Sequence, residues 1–425
     1  MTLVRPLRAD AGASVGLVEV RRHNLALVLS HLRASGARSR ATIAAETGLN
    51  KATVSSLVAE LVERGLVAEG ETARGAVGRP SQQVDLYGGS FYTVGAEVNL
   101  GYLAVVALNV RAEVLAERWV PLAADQLDAG TAVPQLARLV LDVIGPLSDA
   151  GSELVGVTFA VPGLIERSAG RVLSAPNLGW SRTRVVETMR TLLGDPDCPL
   201  LLDNEANLAA RAEVETADRT GVQDLVLLTG VVGVGAGIVA AGQLLRGVRG
   251  FAGEVGHMQL DPGGRRCGCG KRGCWETVAG LNALLMVAAD EHDPVRDPTL
   301  DLVRRLDLLT ERAEAGDRRT LDALDRTAEW LAVGAGILVN LVNPELLVLG
   351  GYFALLGPWL ADPLTSSLPD RVFAPDSGGC RVEPSSLGFT AAARGGALEA
   401  LSRIFDDPTA VASARGAAVP AGAPA

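Results

Sequence analysis

The feature that most restricts how this chain can fold is a short run near its middle. Between Gly253 and Glu276 the sequence reads Gly-Glu254-Val-Gly-His257, then nine residues, then Cys267-Gly-Cys269-Gly-Lys-Arg-Gly-Cys274-Trp-Glu276. One His and three Cys fall within eighteen residues, in a chain with 4 His and 5 Cys altogether. Three thiolates and one imidazole at short spacing, interleaved with glycines that let the backbone turn tightly, are the donor set of a closed tetrahedral zinc site. His257, Cys267, Cys269 and Cys274 would fill all four positions and leave no place for a reacting water, so the zinc reads as structural. The competing reading is a set of free cysteines in a reducing compartment. Glu254 and Glu276 flank the cluster, and a metal pinning the loop between them would fix both carboxylates in place.

A chain of 425 residues suits two or three domains, and 48% hydrophobic with 21% charged residues describes a globular protein with a large core. The formal charge of −10 is unevenly spread. Residues 1–88 hold 11 Lys+Arg against 8 Asp+Glu, whereas the remainder holds 28 against 41. A basic head on an acidic body implies that only the head meets a polyanion. Arg5 and Arg8 are not followed by an apolar run, so no secretory signal is expected. The uncharged stretch Leu225 to Leu245 is long enough to cross a bilayer. Its five glycines, Thr229 and Gln243 favour two buried strands joined by turns, and no membrane contact. The clustered cysteines point to a reducing, cytoplasmic location.

Residues 1–20 read as a flexible tail. Leu25, Val28, Leu29 and Leu32 then recur at helical spacing. A short helix over 41–47 is closed by Gly48, and Asn50 caps a second helix over 51–64 that is closed by Gly65. Two helices joined by a turn of this length form a helix-turn-helix. Val54, Leu57, Val58 and Leu61 share the buried face of the second helix. Lys51, Ala52, Thr53, Ser55 and Ser56 share the opposite one, small and polar enough to enter a major groove of double-stranded DNA. A strand near Leu66–Ala68, a Gly/Arg-rich segment with Arg74 and Gly78-Arg79-Pro80, and a returning strand near 83–86 read as a β-wing. Arg74 and Arg79 would reach the backbone or minor groove. The competing reading is a helical hairpin used for protein contacts.

From Phe91 strands alternate with helices in two successive blocks, before and after about residue 215, which is α/β layering. A last helix is expected over 392–405, packed back on the first block, and residues 407–425 read as disordered from their Ala/Pro/Gly content. Short polar clusters interrupt the body where strands end: Asn177, then Asn204-Glu205, then Glu254 with His257, then Glu276. Side-chain amides and carboxylates each make two or more hydrogen bonds, which suits a ring of sugar hydroxyls.

These motifs resemble the ROK family, named for its repressors, open reading frames and kinases. Gly-Glu-x-Gly-His followed by Cys-x-Cys-Gly-x-x-Gly-Cys-x-Glu is similar to the family signature, and the likeness runs from about Arg21 to about Phe405. It implies an N-terminal winged helix-turn-helix over 21–88, followed by a two-lobed, actin-like sugar-kinase domain over 89–406. It also implies that Asn177, Asn204, Glu205, Glu254, His257 and Glu276 bind a sugar. Kinases of the family place Asp-x-Gly-Gly-Thr at the first hairpin, where bare backbone approaches phosphate. Here the stretch reads Glu97-Val-Asn99-Leu100-Gly101. Their catalytic Asp lies in Asn-Asp-Ala-Asn, matched here by Asn204-Glu205-Ala-Asn207, a variant similar to the xylose-repressor branch. Glycines at 230–237, and Asn343-Pro344 with Gly350-Gly351, are either remnants of nucleotide contacts or closely packed backbone. The expectation is a non-enzymatic regulator: a repressor of carbohydrate-metabolism genes that binds operator DNA as a homodimer or homotetramer and responds to a sugar. The rival is an active ATP-dependent sugar kinase with a DNA-binding head.

Overall fold

The computed structural model describes residues 16–70, 82–123, 126–216, 219 and 221–411. The chain divides into two compact units, residues 1–90 with 402–425, and residues 91–401.

The first unit is a winged helix-turn-helix. Its elements are α1 (Leu17–Ser35), β1 (Arg38–Ser39), α2 (Arg40–Thr47), α3 (Lys51–Glu63), β2 (Val67–Glu69) and β3 (Gln83–Leu86). α1 begins at Leu17, inside the stretch read from sequence as a tail, because one more turn continues the same helical run. Leu25, Val28, Leu29 and Leu32 of α1 meet Ile43 of α2 and Val54, Leu57, Val58 and Leu61 of α3, all buried. Each such side chain contributes about 1.5–3 kcal/mol on burial. The turn between α2 and α3 works as its residues dictate. Gly48 sits at φ 74°, and the Asn50 side chain accepts from Thr53 N at 2.8 Å. β1, β3 and β2 form an antiparallel sheet in that order. Arg74 and Arg79, read as the wing tip, lie outside the described residues.

Residues 407–411 do not follow the expectation of a structureless tail. Pro408–Ala410 make a 3-10 turn with Val411 buried. Arg64 donates to Val411 O at 2.7 Å, and Arg33 lies over the Phe405 ring at 4.8 Å. Small residues gave no periodic signal there; two arginines of the head supply the anchor.

The second unit is built twice on one plan. Its first half contains β4 (Phe91–Asn99), β5 (Tyr102–Asn109), β6 (Val114–Pro121), α4 (Ala129–Asp149), β7 (Glu153–Val161), β8 (Leu164–Glu166), β9 (Arg171–Ala175), β10 (Trp180–Thr183), α5 (Val185–Leu192), β11 (Leu200–Asn204) and α6 (Glu205–Val214). Its second half contains β12 (Leu225–Gly230), β13 (Val234–Ala240), β14 (Gln243–Leu244), α7 (Glu276–Ala279), α8 (Leu281–Ala288), α9 (Leu302–Glu314), α10 (Arg318–Val342), β15 (Leu346–Gly351), α11 (Tyr352–Leu355), α12 (Gly357–Ser367), β16 (Arg381–Pro384) and α13 (Ala391–Asp406).

One five-stranded sheet runs β11-β7-β4-β5-β6 and the other β14-β13-β12-β15-β16. Each is an antiparallel three-strand meander extended by two parallel strands. This duplication is the actin-like, sugar-kinase architecture. A small sheet, β10-β9-β8, stands apart from the two large ones. The uncharged stretch from Leu225 forms β12, β13 and β14, and no helix of the described residues is long and apolar enough to cross a membrane.

α6 packs across β12 and β13 so closely that a Cβ on Gly237 would collide with Ala206 O. Close packing therefore explains that glycine. α13 returns onto β4, where Thr93 Oγ1 donates to Ala397 O at 2.9 Å.

Candidate functional site

In the head, Lys51, Ala52, Ser55 and Ser56 of α3 are exposed and Thr53 is half-buried. Val54, Leu57, Val58 and Leu61 on the opposite face are buried, so the two faces are as distinct as the sequence periodicity requires. Two arginines that the periodicity did not single out border this face. Arg21 donates to Ser56 Oγ at 3.2 Å and pairs with Glu60 at 2.6 Å. Arg40 donates to Ser55 O at 3.1 Å and pairs with Glu69 at 2.6 Å. Ser56 is thus partly engaged within the head itself.

In the body the polar clusters converge on one cleft of about 800 Å³, but only Asn177, Asn204 and Glu205 sit at strand ends; Glu254, His257 and Glu276 lie well beyond β14. Asn177 comes from the 3-10 turn after β9, Asn204 and Glu205 from the β11–α6 junction, Glu254 and His257 from a 3-10 turn, and Glu276 from the start of α7. All six line the cleft. They do not all present free ends. Asn204 caps α6, accepting from Ala206 N at 2.9 Å and Asn207 N at 3.2 Å, while its amide donates to Gly163 O at 3.2 Å. Its side chain chiefly holds the wall together. Asn177 is exposed. Glu254 and His257 are each about one third accessible, at 33% and 31%. Burial pushes the Glu254 carboxyl up, against the pull of His257.

The cysteine loop closes one side of the cleft. Donor atoms of His257, Cys267, Cys269 and Cys274 all lie within 4.8 Å of one another, so the loop forms a compact cluster competent to hold a metal ion. His257 turns Nδ1 toward Cys267 Sγ at 3.6 Å and Nε2 toward Glu254 at 3.9 Å. The ring therefore faces the cluster with one nitrogen and the cleft with the other. Glu276 Oε1 accepts from Cys267 Sγ at 2.7 Å. Trp275, between Cys274 and Glu276, anchors the loop. It is fully buried, donates to Trp330 O at 2.9 Å, and lies so close to α10 that a Cβ on Gly334 would enter its ring.

A second, smaller cavity of about 350 Å³ lies behind Glu205, under the β4–β5 hairpin. Here several side chains bond one another, although Glu97 Oε2 and Glu205 Oε2 are buried with no partner among the described residues. Asn99 Nδ2 donates to Glu97 Oε1 at 2.7 Å, and Tyr102 OH donates to the same oxygen at 2.9 Å. Asn99 Oδ1 takes the Leu100 amide at 2.8 Å. An amide that a phosphate would need is already used. Glu97, Glu205 and Glu213 all line this cavity. Burial pushes Glu97 up to about 7. Burial, reinforced by Glu254 and Glu97, pushes Glu205 up to about 8. Sequence reasoning flagged Asn99 and Leu100 but missed Tyr102, whose aromatic ring reads from sequence as ordinary strand core.

A winged helix-turn-helix head and a duplicated α/β body with a polar cleft define the class: a DNA-binding module joined to a sugar-kinase-like domain. The chain belongs to the ROK family, which it matches over residues 102–402, and its head matches the MarR family over residues 26–76. It is 30% identical to the xylose repressor of Caldicellulosiruptor bescii over 376 residues, 86% of this chain and 92% of that one. It is also 30% identical to the glucokinase of Halalkalibacterium halodurans over 311 residues, 71% of this chain and 93% of that one. Among solved structures, a ROK family transcriptional regulator, described as a homologue of the E. coli MLC protein, shares the fold with a TM-score of 0.74. It is 23% identical, over 91% of this chain and 97% of that one.

Proposed function

We propose that the protein is a sugar-responsive transcriptional repressor of carbohydrate-metabolism genes. Its kinase-like domain binds a sugar and transfers no phosphate. One observation carries this reading: the cleft keeps Asn177, Glu254 and His257 open to solvent while the adjoining hairpin has bonded its own turn amide. Phosphoryl transfer needs donors for the phosphates and a charged base at the hydroxyl. The Leu100 amide is bonded to Asn99 and so is not free for a phosphate, and no Lys or Arg is among the described residues that line the cavity behind it. Both features disfavour a bound nucleotide phosphate.

In the cleft, Glu254, His257, Glu276 and Asn177 take sugar hydroxyls, with Asn204 and Glu205 forming the wall behind them. The cluster of His257, Cys267, Cys269 and Cys274 suits zinc. Bonds of about 2.3 Å to sulfur and about 2.0 Å to nitrogen give tetrahedral edges of about 3.8 Å between sulfurs and about 3.5 Å between sulfur and nitrogen. The separations are 3.7 Å for Cys269–Cys274 and 3.6 Å for Cys267–His257. Zinc bound there would fix the loop, and with it the spacing of Glu254 and Glu276. The protein works in the cytoplasm as a homo-oligomer whose α3 faces read half-sites in operator DNA, through Lys51, Ala52, Thr53, Ser55 and Ser56, with Arg74 and Arg79 on the wing. The chain joins head and body at Ser90–Phe91 and again at Leu401–Ser402, so a change in the body reaches the head by two covalent routes. A sugar alters DNA binding only to the extent that it prefers one body conformation over another.

Fluorescence anisotropy on DNA from upstream of the protein's own gene, at one fixed salt concentration, tests this. The expected result is tight binding released by a sugar and indifferent to ATP. Lys51→Ala should weaken binding across all sequences and lower the salt slope by about 1. The match to a glucokinase favours a second reading, an active kinase. ADP release over a sugar panel, without DNA binding, would establish it instead.

A further inference from the structure

A groove of about 540 Å³ adjoins the cleft on the side of the cysteine loop. The two share the walls Asn177, Val232, Gly233 and Glu276. The neck between them is narrow and polar. At Gly233 a Cβ would collide with Glu276 Oε2 and stand 3.5 Å from Asn177 Nδ2. On the far side, a Cβ on Gly268 would stand 3.6 Å from Asn177 Oδ1. The Asn177 amide thus offers its donor end at Gly233 and its acceptor end at Gly268. Beyond the neck the groove is lined by Arg265, Arg266 and Asn282. Arg265 is held by Thr277 O and Met286. Arg266 is exposed, with no side-chain hydrogen bond or ion pair to any described residue, and Asn282 at the start of α8 is likewise exposed and unbonded.

We propose that this groove is a second subsite, so that the effector is a disaccharide rather than a free monosaccharide. The proposal rests on the reading that the cleft binds a sugar ring. One ring sits in the cleft, the glycosidic link passes the neck between Asn177 and Glu276, and the second ring lies in the groove. A guanidinium and an amide with free donors suit ring hydroxyls. Gly268, whose Cβ would meet nothing closer than 3.6 Å, leaves a floor at which a ring can approach backbone. Apart from Glu276 at the neck, the charged groups lining the groove are two arginines, so a neutral or acidic second unit fits and a cationic amino sugar does not.

Isothermal titration calorimetry on the full chain, comparing xylose with xylobiose and glucose with cellobiose, tests the subsite. The disaccharide that fits should bind at least about tenfold tighter than its own monosaccharide, a free-energy gain of about 1.4 kcal/mol. Arg266→Ala should remove that advantage and leave monosaccharide affinity unchanged. Asn282→Ala, which lies outside the cysteine loop, should act in the same direction with zinc content intact. Equal affinity for one and two rings would overturn the proposal, as would a disaccharide advantage that survives both substitutions. No binding of any sugar of either length would instead remove the cleft reading on which it rests.

Discussion

The cleft and the hairpin cavity stand back to back across Glu205, yet they have opposite hydrogen-bond states. In the cleft, Asn177 is free and Glu254 and His257 are about one third accessible. Behind it, Glu97, Asn99 and Tyr102 are almost fully buried and bonded to one another. A binding site needs polar groups whose partners are missing; a filled site has polar groups whose partners are neighbours. The same α/β scaffold thus sets two differently finished sites side by side. At the hairpin turn Asn99 and Leu100 add bulk, and the Asn99 side chain captures the turn's own amide.

The largest effect that could break this contrast is at the cysteine loop. Cys267→Ser should lose zinc, read by metal analysis, and reduce the sugar response in the anisotropy assay by about 10- to 100-fold, the usual range when a metal site is disrupted. A variant that lacked metal but kept its full response would show that the loop does not position Glu254 and Glu276. Next, Glu254→Gln should weaken sugar affinity by roughly 1 kcal/mol, the difference between a hydrogen bond to a charged acceptor and one to a neutral amide. Calorimetry measures it, and an unchanged affinity would mean that Glu254 does not touch the ligand.

Opening the filled side is the sharper test. Asn99→Gly with Leu100→Gly frees the hairpin backbone. ATP binding, read by calorimetry, should stay undetectable, because Glu97, Glu205 and Glu213 still line the cavity. Binding of ATP by that variant would show that the hairpin alone excluded it. The smallest effect concerns pH. Glu97 is raised from 4.5 to about 7 by burial, so its contribution favours the fold fully below about pH 4.5 and is lost as pH rises through 7. Glu97→Gln, which mimics the protonated form, should match wild type below about pH 4 and exceed it at pH 9 by on the order of 1–3 kcal/mol in denaturant unfolding. Parallel stability curves would show that Glu97 does not titrate in this range.

Much of this organisation was legible in the chain. Helical periodicity in α1 and α3 depends only on the 3.6-residue repeat, and Gly48 and Asn50 mark the turn by backbone and capping chemistry that any context obeys. The cysteine spacing named the four donors because a metal cluster is local in sequence. Asn177, Asn204 and Glu205 could be placed at strand ends, but whether the side chains of the cleft were free could not. Asn204 reads identically as ligand or cap until α6 is seen to start on it. Tyr102 reads as core until its hydroxyl is found on Glu97. Residues 407–411 lack periodicity and read as structureless, yet Val411 is buried and Arg64 donates to its carbonyl.

The sequence by itself determined the local geometry: the helix-turn-helix, the strand blocks and the donor set of the cysteine loop. Each rests on interactions among residues a few positions apart. Tertiary structure alone decided which polar groups face space and which face each other. Asn177 and Glu276 are about a hundred residues apart in the chain, and Glu97 and Glu205 are similarly distant. Only the packing of the duplicated sheets brings such residues together, and burial then sets both their charge and their freedom to bind.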